Sequence, residues 1–418
     1  MLVVGLGNTA CEVSLSLARE ASRVYQSYRH GKIIISRYDG HGIPTDLEPW
    51  PKTQLRYLLR DRLPWLARRL ESRLIVRTMV CDAARQQVRN TGDSKRQRLR
   101  RAEESMRKRW QLLPCPTELV HPSVQDDFIS ALDLGRVTPV RGFRAFVSPD
   151  KVLLDDGSTI QADAVVFCTG YMLDFGIIPE LEMDGSCGFP LRSAADQHTA
   201  KEETPTKTRE EPTLPRLYHM LFPPRWAPSM AVLSWSSALE TSWCVCELAS
   251  MAVSQVWAAD AMVGNDTLPP TSNAGKSYRK PSLLPTEADM NSAVDKYHAW
   301  WRRGWARVPS AHLGIIEPYS FYRFLHKMAG TGMYEHVNHS LSLQNWALRY
   351  RDRQLHRWLT DGPASSHAWR LFDTNPANIP GRGRSAWPGA RQALREAVSC
   401  CPPFLDVAVC TVAAEMRR

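Results

Sequence analysis

The sequence predicts an α/β fold with a parallel sheet, followed by a mainly helical C-terminal region. The first observation is a strand, a glycine turn, a helix and a second strand in immediate succession over residues 1–28, an order typical of parallel sheets. The second is the composition, because 43% hydrophobic and 23% charged residues exclude disorder over the whole chain. The length of 418 residues corresponds to one large domain or two to three ordinary ones.

The first elements are defined by short apolar patterns. Met1–Val4 is an apolar strand, and residues 10–17 place their apolar side chains on one helical face. Thr9 and Glu12 have the spacing of a capping box at the start of that helix. The remaining predicted elements are strands at 24–28, 33–35, 137–146, 152–154, 159–160, 164–167 and 230–235, and helices within 51–113 and 239–257.

Composition and charge also argue against several classes of protein. None of the ten cysteines forms a Cys-x-x-Cys pair, so we expect no metal site and a reduced, cytoplasmic protein. The net charge of +10 is not by itself a nucleic-acid signature, and the basic run 95–109 predicts a solvated helix face rather than a surface for nucleic acid. No run reaches the roughly 18 to 20 apolar residues of a transmembrane helix, and we expect no signal peptide.

The turn Gly5-x-Gly7-x-x-Ala10 predicts a Rossmann-like dinucleotide-binding site. The first glycine permits a tight turn, the second lets the backbone approach a pyrophosphate, and the small third residue allows close packing of helix on strand. The helix N-terminus supplies free N–H groups for the phosphates. The alternative is a turn with a purely structural role.

The tip of the second strand indicates which nucleotide is bound. Ser27–Gly31 contains no acidic residue that could hold the ribose hydroxyls of NAD, and Arg29 lies where a 2′-phosphate would sit. Arginine presents a planar set of donors to phosphate, so the sequence favours NADPH. The alternative is a surface arginine at a strand end.

Other motifs carry less information. Phe167–Tyr171 closes a strand with Thr169 and Gly170, which taken alone predicts a strand-to-loop turn. A lone His41 in a glycine-bracketed loop is more often structural than catalytic. Since no catalytic triad or carboxylate pair stands out, the sequence identifies no catalytic residue.

Taken together, these motifs resemble those of the flavin-containing monooxygenase family. The match covers roughly residues 1–260. The set of motifs in this order is more specific to the family than any single motif. The matching segments are residues 3–10, 27–31, 41–44, 121–124, 134–137, 156–157, 165–171 and 217–224, followed by Glu247.

The resemblance implies an oxidoreductase, a flavoprotein with NADPH and FAD as cofactors and a small-molecule substrate. In the family, NADPH reduces FAD, and a C4a-hydroperoxyflavin then oxygenates a soft nitrogen or sulfur nucleophile, so that the cofactors carry the difficult chemistry. By family position, the pyrophosphate would contact Gly5, Gly7, Asn8, Thr9 and Ala10, the 2′-phosphate would contact Arg29, and Thr169 and Gly170 would lie near the junction with the flavin domain.

The chain also departs from the family pattern. Relatives carry an earlier glycine-rich turn for FAD and a Phe-x-Gly-x-x-x-His fingerprint, whereas this sequence starts at the second turn. We therefore expect an N-terminally incomplete member that lacks the first FAD-binding half and does not retain stoichiometric FAD. Two other functions stay open, namely a Baeyer–Villiger-type flavin monooxygenase and a non-catalytic nucleotide-binding fragment.

The resemblance implies a division into three parts. Residues 1–135 would form the NADPH-binding Rossmann-like domain with a helical insert. Residues 136–260 would form the remainder of a flavoprotein fold with two dinucleotide-binding domains, and residues 261–418 a linker and a mainly helical C-terminal extension. The substrate and the oligomeric state are not determined by the sequence.

Overall fold

The computed structural model describes residues 1–39, 42, 44–45, 47–88, 92–170, 214–238, 242–264, 283–308, 311–338, 342–375 and 383–399. Residues 193–213, whose polar composition predicts a loop or flexible insert, lie outside these ranges, as do the motif residues His41 and Tyr171. The chain divides into two compact units. The first unit comprises Met1–Thr45, Pro64–Leu173 and Val308–Ala311, and the second comprises Asp46–Leu63, Asp174–Arg307 and His312–Arg418. The three-part division after residues 135 and 260 stays a prediction.

The strands of the described residues all belong to the first unit, and the helices are shared between the two units. The strands are β1 (Leu2–Val4), β2 (Val24–Tyr28), β3 (Ile34–Ile35), β4 (Ser123–Val124), β5 (Val137–Arg141), β6 (Phe143–Ser148), β7 (Lys151–Leu154), β8 (Thr159–Gln161) and β9 (Val165–Phe167). The helices of the first unit are α1 (Asn8–Leu17), α3 (Pro64–Gln86), α4 (Lys95–Glu104) and α5 (Phe128–Asp133). The helices of the second unit are α2 (Trp50–Arg62), α6 (Ser242–Gly264), α7 (Glu287–Arg307), α8 (Pro318–Ala329), α9 (Leu343–Arg351), α10 (Arg353–Asp361) and α11 (Ala390–Ser399).

A four-stranded parallel sheet forms the centre of the first unit, in the order β5-β2-β1-β9. Leu2 and Val3 on β1 are fully buried, as expected for an interior strand of a parallel sheet. The predicted α/β fold with a parallel sheet is therefore confirmed. Pro139 is tolerated because β5 is the edge strand of this sheet.

Two smaller sheets complete the first unit. Strands β3 and β4 pair in parallel, and β6, β7 and β8 form an antiparallel sheet. The predicted hairpin at 152–160 is confirmed, with Gly157 in its turn at φ +83°. The predicted single strand at 137–146 is instead divided at Gly142, where φ is +46°. This positive φ bends the chain, so that β5 joins the parallel sheet and β6 joins the antiparallel one.

The predicted helical region 51–113 is broken twice. Leu63 leaves helical geometry before Pro64, because a residue that precedes proline disfavours the α conformation. The second helix ends at Gln86, and α4 begins after Ser94, which forms a capping box with Gln97. After α4, a short π-helix at Ser105–Arg109 leads into the core of the first unit.

The capping box predicted for α1 is wrong. The N-cap of α1 is Gly7, which forms no side-chain cap, and Thr9 already lies in the first turn. The carboxylate of Glu12 instead accepts a hydrogen bond from Gln125 Nε2 at 3.1 Å and lies 3.5 Å from Arg37. The side chain that the capping box required is thus engaged with other parts of the unit.

The second unit is built from helices around a hydrophobic core that includes Phe222, Phe321 and Leu325. The helix predicted at 239–257 is confirmed as α6, with bounds three to seven residues later. The strand predicted at 230–235 is wrong, because this segment pairs with no strand among the described residues and Ser234 has a φ of +64°. Ala231 and Trp235 pack against the helical core instead. Among the described residues, no helix is both long and apolar enough to cross a membrane.

Candidate functional site

The carboxyl ends of the parallel strands bring the predicted site segments to one edge of the sheet. β1 leads into Gly5, β2 into Arg29 and β9 into Thr169. β1 lies between β2 and β9, so the glycine turn has the other two segments on either side. In open α/β sheets, this edge is where ligands bind.

Gly5 is required by the close approach of β9. Its φ is +127°, and a side chain there would strike the carbonyl oxygen of Cys168. Its N–H donates to the carbonyl of Ser27 at 2.9 Å, which joins the turn to β2. Ala10 is fully buried, and its Cβ would lie 3.6 Å from a Cβ built at Gly5. A larger residue at position 10 would therefore separate α1 from the turn.

Gly7 is not required by the internal packing. It is the N-cap of α1, and no atom lies within 4 Å of the position that its Cβ would take. No acidic side chain lies in the first turn of α1, so the positive end of the helix dipole is not neutralised there. The open space in front of Gly7 and the α1 N-terminus can accommodate an anionic group.

Asn8 and Thr9 differ in their surroundings. The Asn8 Oδ1 accepts a hydrogen bond from the Val124 N–H at 2.8 Å, and the Ser123 hydroxyl donates to the Leu6 carbonyl at 2.8 Å. The side chain of Asn8 thus holds the turn against β4, while Thr9 is exposed in the first turn of α1. Contact of these two residues with a nucleotide stays a prediction.

Gln26 is a site residue that the sequence analysis missed. It is fully buried in β2, its Nε2 donates to the Gly5 carbonyl, and its Oε1 accepts from the Ser14 hydroxyl on α1. One side chain therefore connects the strand, the turn and the helix. The only signal in the sequence is a glutamine in the middle of a short strand, next to Ser27, a pattern too common to indicate this role.

Arg29 lies at the surface, just beyond β2. Its side chain is 70% exposed, and its Nε is 3.5 Å from the Asp155 Oδ2. The Arg141 Nη1 donates to the Arg29 carbonyl at 3.0 Å. Asp155 is the second residue that the sequence analysis missed, because it reaches this strand tip from a hairpin more than a hundred residues later.

Cys11 on α1 is fully buried, and Lys32 interacts with it electrostatically. Burial raises the pKa of the Cys11 thiol to about 12 and lowers the pKa of Lys32. Burial also raises the pKa of Cys168. Both thiol shifts favour the protonated form, which is the less nucleophilic one.

Thr169 and Gly170 follow β9 at the same edge. The Cys168 N–H donates to the Val4 carbonyl at 2.8 Å, which fixes the end of β9 beside the glycine turn. Both Thr169 and Gly170 are exposed, and Gly170 has a φ of +98°. The structure thus brings them next to Gly5, while their predicted position at a junction with a flavin domain stays a prediction.

Glu247 belongs to the later matching segment and lies in the second unit. It forms an ion pair with Arg370. This pair lines an open cavity of about 580 Å³, and Arg384 is another residue of its wall. Burial lowers the pKa of Arg384.

Comparison with known proteins finds one family and a set of distant relatives. A family model described as FMO-like, flavin-binding monooxygenase-like, matches residues 1–184. The monooxygenase aurF of Gibberella zeae is 28% identical over 396 residues, which are 94% of this chain and 63% of that protein. Human flavin-containing monooxygenase 3 is 23% identical over 396 residues, which are 94% of this chain and 56% of the relative.

A solved structure is also similar. The S-allyl-L-cysteine S-oxygenase from Allium sativum matches 95% of this chain and 54% of its own, with 15% identity and a TM-score of 0.37. The chain spans less than two thirds of the length of the relatives and of the solved structure named here.

Proposed function

We propose that the chain belongs, through residues 1–184, to the flavin-containing monooxygenase family, and that it acts in an NADPH- and FAD-dependent monooxygenase. The proposed substrates are small molecules with a soft nitrogen or sulfur nucleophile. This proposal concerns the activity seen in full-length relatives, which are longer than this chain.

The observation that carries the proposal is the geometry around Gly7. The residues present fit a dinucleotide, because the α1 N-terminus faces open space and a Cβ at Gly7 would meet no atom within 4 Å. We place the pyrophosphate of NADPH against the N–H groups of Gly7, Asn8 and Thr9. Gly5 and Ala10 support this role by letting the turn, β9 and α1 approach one another closely.

Arg29 supports NADPH rather than NADH as the nucleotide. Its exposed guanidinium lies at the tip of β2, where the 2′-phosphate of a nucleotide bound across the carboxyl edge would lie. Arginine can give this phosphate two parallel hydrogen bonds. Arg29 therefore orients the adenosine end, while the glycine turn holds the pyrophosphate.

FAD, when bound, supplies the activation of oxygen and its transfer to the substrate. We place Thr169 and Gly170 at the side of the nucleotide site that faces the flavin, because they follow β9 directly beside the glycine turn. The residues of this edge thus act by positioning the nucleotide.

The proposed location is the cytoplasm. The cysteines in the described part of the chain are free, as is usual in a reducing compartment. Fractionation of cells that express a tagged chain is the direct test of this location.

The proposed function is tested by binding and by turnover. Titration calorimetry of the purified chain should give tighter binding of NADPH than of NADH. When the chain is joined to the first FAD-binding half of a relative, NADPH oxidation should increase on addition of a tertiary amine or a sulfide, and the N-oxide or S-oxide should be detected. Ester formation from a cyclic ketone would indicate Baeyer–Villiger chemistry, and NADPH binding without any product would indicate a nucleotide-binding protein.

A further inference from the structure

The contact between Arg29 and Asp155 places opposite charges at the tip of β2. Arg29 Nε lies 3.5 Å from Asp155 Oδ2, and the side chains are 70% and 43% exposed. Arg29 follows a strand of the parallel sheet, whereas Asp155 lies in the turn between β7 and β8 of the antiparallel sheet. The acidic group that is absent from Ser27–Gly31 is therefore supplied from another part of the unit.

The backbone holds Asp155 in this position. Its N–H donates to the carbonyls of Arg141, at 3.2 Å, and Gly142, at 3.1 Å. A Cβ on Gly142 would overlap the Asp155 carboxylate, so the glycine leaves the space that this side chain fills. Arg141 in turn donates to the Arg29 carbonyl at 3.0 Å. These backbone contacts thus hold Asp155 at the end of β5, directly beside the end of β2.

The two side chains favour different nucleotides. A guanidinium at this strand tip binds a 2′-phosphate, whereas a carboxylate there accepts hydrogen bonds from the ribose hydroxyls. A 2′-phosphate that reaches Arg29 must compete with Asp155 for its donors, and it also meets a second negative charge. A ribose without the 2′-phosphate does not compete for the Arg29 donors and is not repelled by the Asp155 carboxylate.

We propose that Asp155 is a specificity-determining residue of the nucleotide site, which pairs with Arg29 and thereby weakens the preference for nucleotides that carry a 2′-phosphate. This inference rests on the proposed function, in which Arg29 receives the 2′-phosphate of NADPH. It assigns the degree of nucleotide preference to a pair of residues rather than to Arg29 alone.

The test is calorimetric titration of the full chain and its Asp155→Asn variant with NADPH, NADH, 2′,5′-ADP and 5′-AMP. The last two ligands differ only in the 2′-phosphate. Asp155→Asn should bind NADPH and 2′,5′-ADP about two- to fivefold more tightly, the range expected for an exposed ion pair, and should not bind NADH or 5′-AMP more tightly. The gain should shrink at high salt, because the charges are exposed.

A matched control is the neighbouring acid in the same turn. The Asp156 carboxylate accepts hydrogen bonds from the Ser158 N–H at 3.0 Å and the Ser158 hydroxyl at 2.6 Å. Asp156→Asn therefore removes the same charge one residue away from the pair, and it should leave the ratio of NADPH to NADH affinity unchanged. In an Arg29→Ala background, Asp155→Asn should lose most of its effect. Asp155→Ala repeats the test with a side chain that cannot accept a hydrogen bond.

The outcomes separate this inference from the proposed function. If NADPH binds and Arg29→Ala weakens it, but Asp155→Asn has no effect or acts like Asp156→Asn, the inference alone is wrong. Weaker NADPH binding in Asp155→Asn would show that the carboxylate positions Arg29 for the phosphate, which also contradicts the inference. A chain that binds neither NADPH nor 2′,5′-ADP would contradict the proposed function and, with it, the inference.

Discussion

Gly5 and Gly7 are the same residue type, but they meet two different requirements. Gly5 has a φ of +127° and lies against the Cys168 carbonyl, so the fold itself requires it. Gly7 has an ordinary extended conformation and open space around its Cβ position. At the scale of single residues, a requirement for glycine at position 7 therefore indicates a ligand rather than internal packing.

The two glycines should separate stability from binding. Gly7→Val should abolish NADPH binding, because its side chain would occupy the space of the pyrophosphate, while lowering the free energy of unfolding by no more than about 1 kcal/mol. Gly5→Ala should lower it by about 2 kcal/mol or more, through backbone strain and the clash with Cys168. Urea denaturation and calorimetry measure the two effects, and normal NADPH binding by Gly7→Val would contradict the site assignment.

Arg29 should determine the preference for NADPH. Hydrogen bonds to a charged group contribute about 1.5 to 3 kcal/mol, so Arg29→Ala should weaken NADPH binding by about 10- to 150-fold. NADH binding should change little, since NADH lacks the 2′-phosphate. Paired titrations with both nucleotides measure the ratio, and an equal loss for both would exclude contact with the 2′-phosphate.

At the scale of elements, one buried side chain connects β2, α1 and the glycine turn. Gln26 contacts Ser14 through one end of its carboxamide and the Gly5 carbonyl through the other. Buried polar groups that lose their partner cost about 1 to 3 kcal/mol each. The position of α1 relative to the turn, and with it the space in front of Gly7, thus depends on this network.

Gln26→Leu should therefore reduce stability and nucleotide binding together. We expect the free energy of unfolding to fall by about 1 to 3 kcal/mol, because the Ser14 hydroxyl and the Gly5 carbonyl lose their partner. Ser14→Ala should cost less in the Gln26→Leu background than alone, since the hydroxyl would then have no partner to lose. A double-mutant cycle by urea denaturation measures this coupling, and strictly additive effects would argue against the network.

At the scale of the whole molecule, the second unit buries histidines that carry no charge. The His326 Nδ1 is 2.8 Å from the Thr331 hydroxyl, and the ring lies among Trp50, Tyr334 and Trp369. Burial lowers the pKa of His326 to about 3 and that of His219 to about 4. Since both values lie below the usual histidine pKa of about 6.5, the unfolded chain binds protons that the folded chain excludes.

Stability should therefore fall on acidification. Below about pH 6.5 the unfolded state takes up the protons, so the free energy of unfolding should decrease by about 1.4 kcal/mol per pH unit for each such histidine, until the folded pKa is reached. His326→Phe should reduce the number of protons taken up on unfolding, and with it this slope, by about one. The stabilities of the variant and the parent are compared at the same pH. Urea denaturation between pH 7 and pH 4.5, followed by tryptophan fluorescence, measures the slope, and an unchanged slope in the variant would exclude His326 as its source.

The sequence by itself determined the features that depend on neighbouring residues. The strand, the glycine turn and α1 follow from apolar runs and from turn residues a few positions apart, and the hairpin at 152–160 follows from Asp155–Ser158. These patterns are local, so a few neighbouring residues are enough to indicate them. Arg29 was also identifiable, because its place at the end of β2 depends only on the preceding strand.

The tertiary structure alone decided which distant groups meet. Asp155 reaches Arg29 because Gly142 turns the chain from one sheet into another, and Ala231 and Trp235, in a segment predicted to be a strand, pack against the helical core of the second unit. Gln26 gained its role when α1 packed onto β2. The physical reason is that turn chemistry and periodicity act over a few residues, whereas the partner of a side chain is chosen by the packing of elements far apart in the chain.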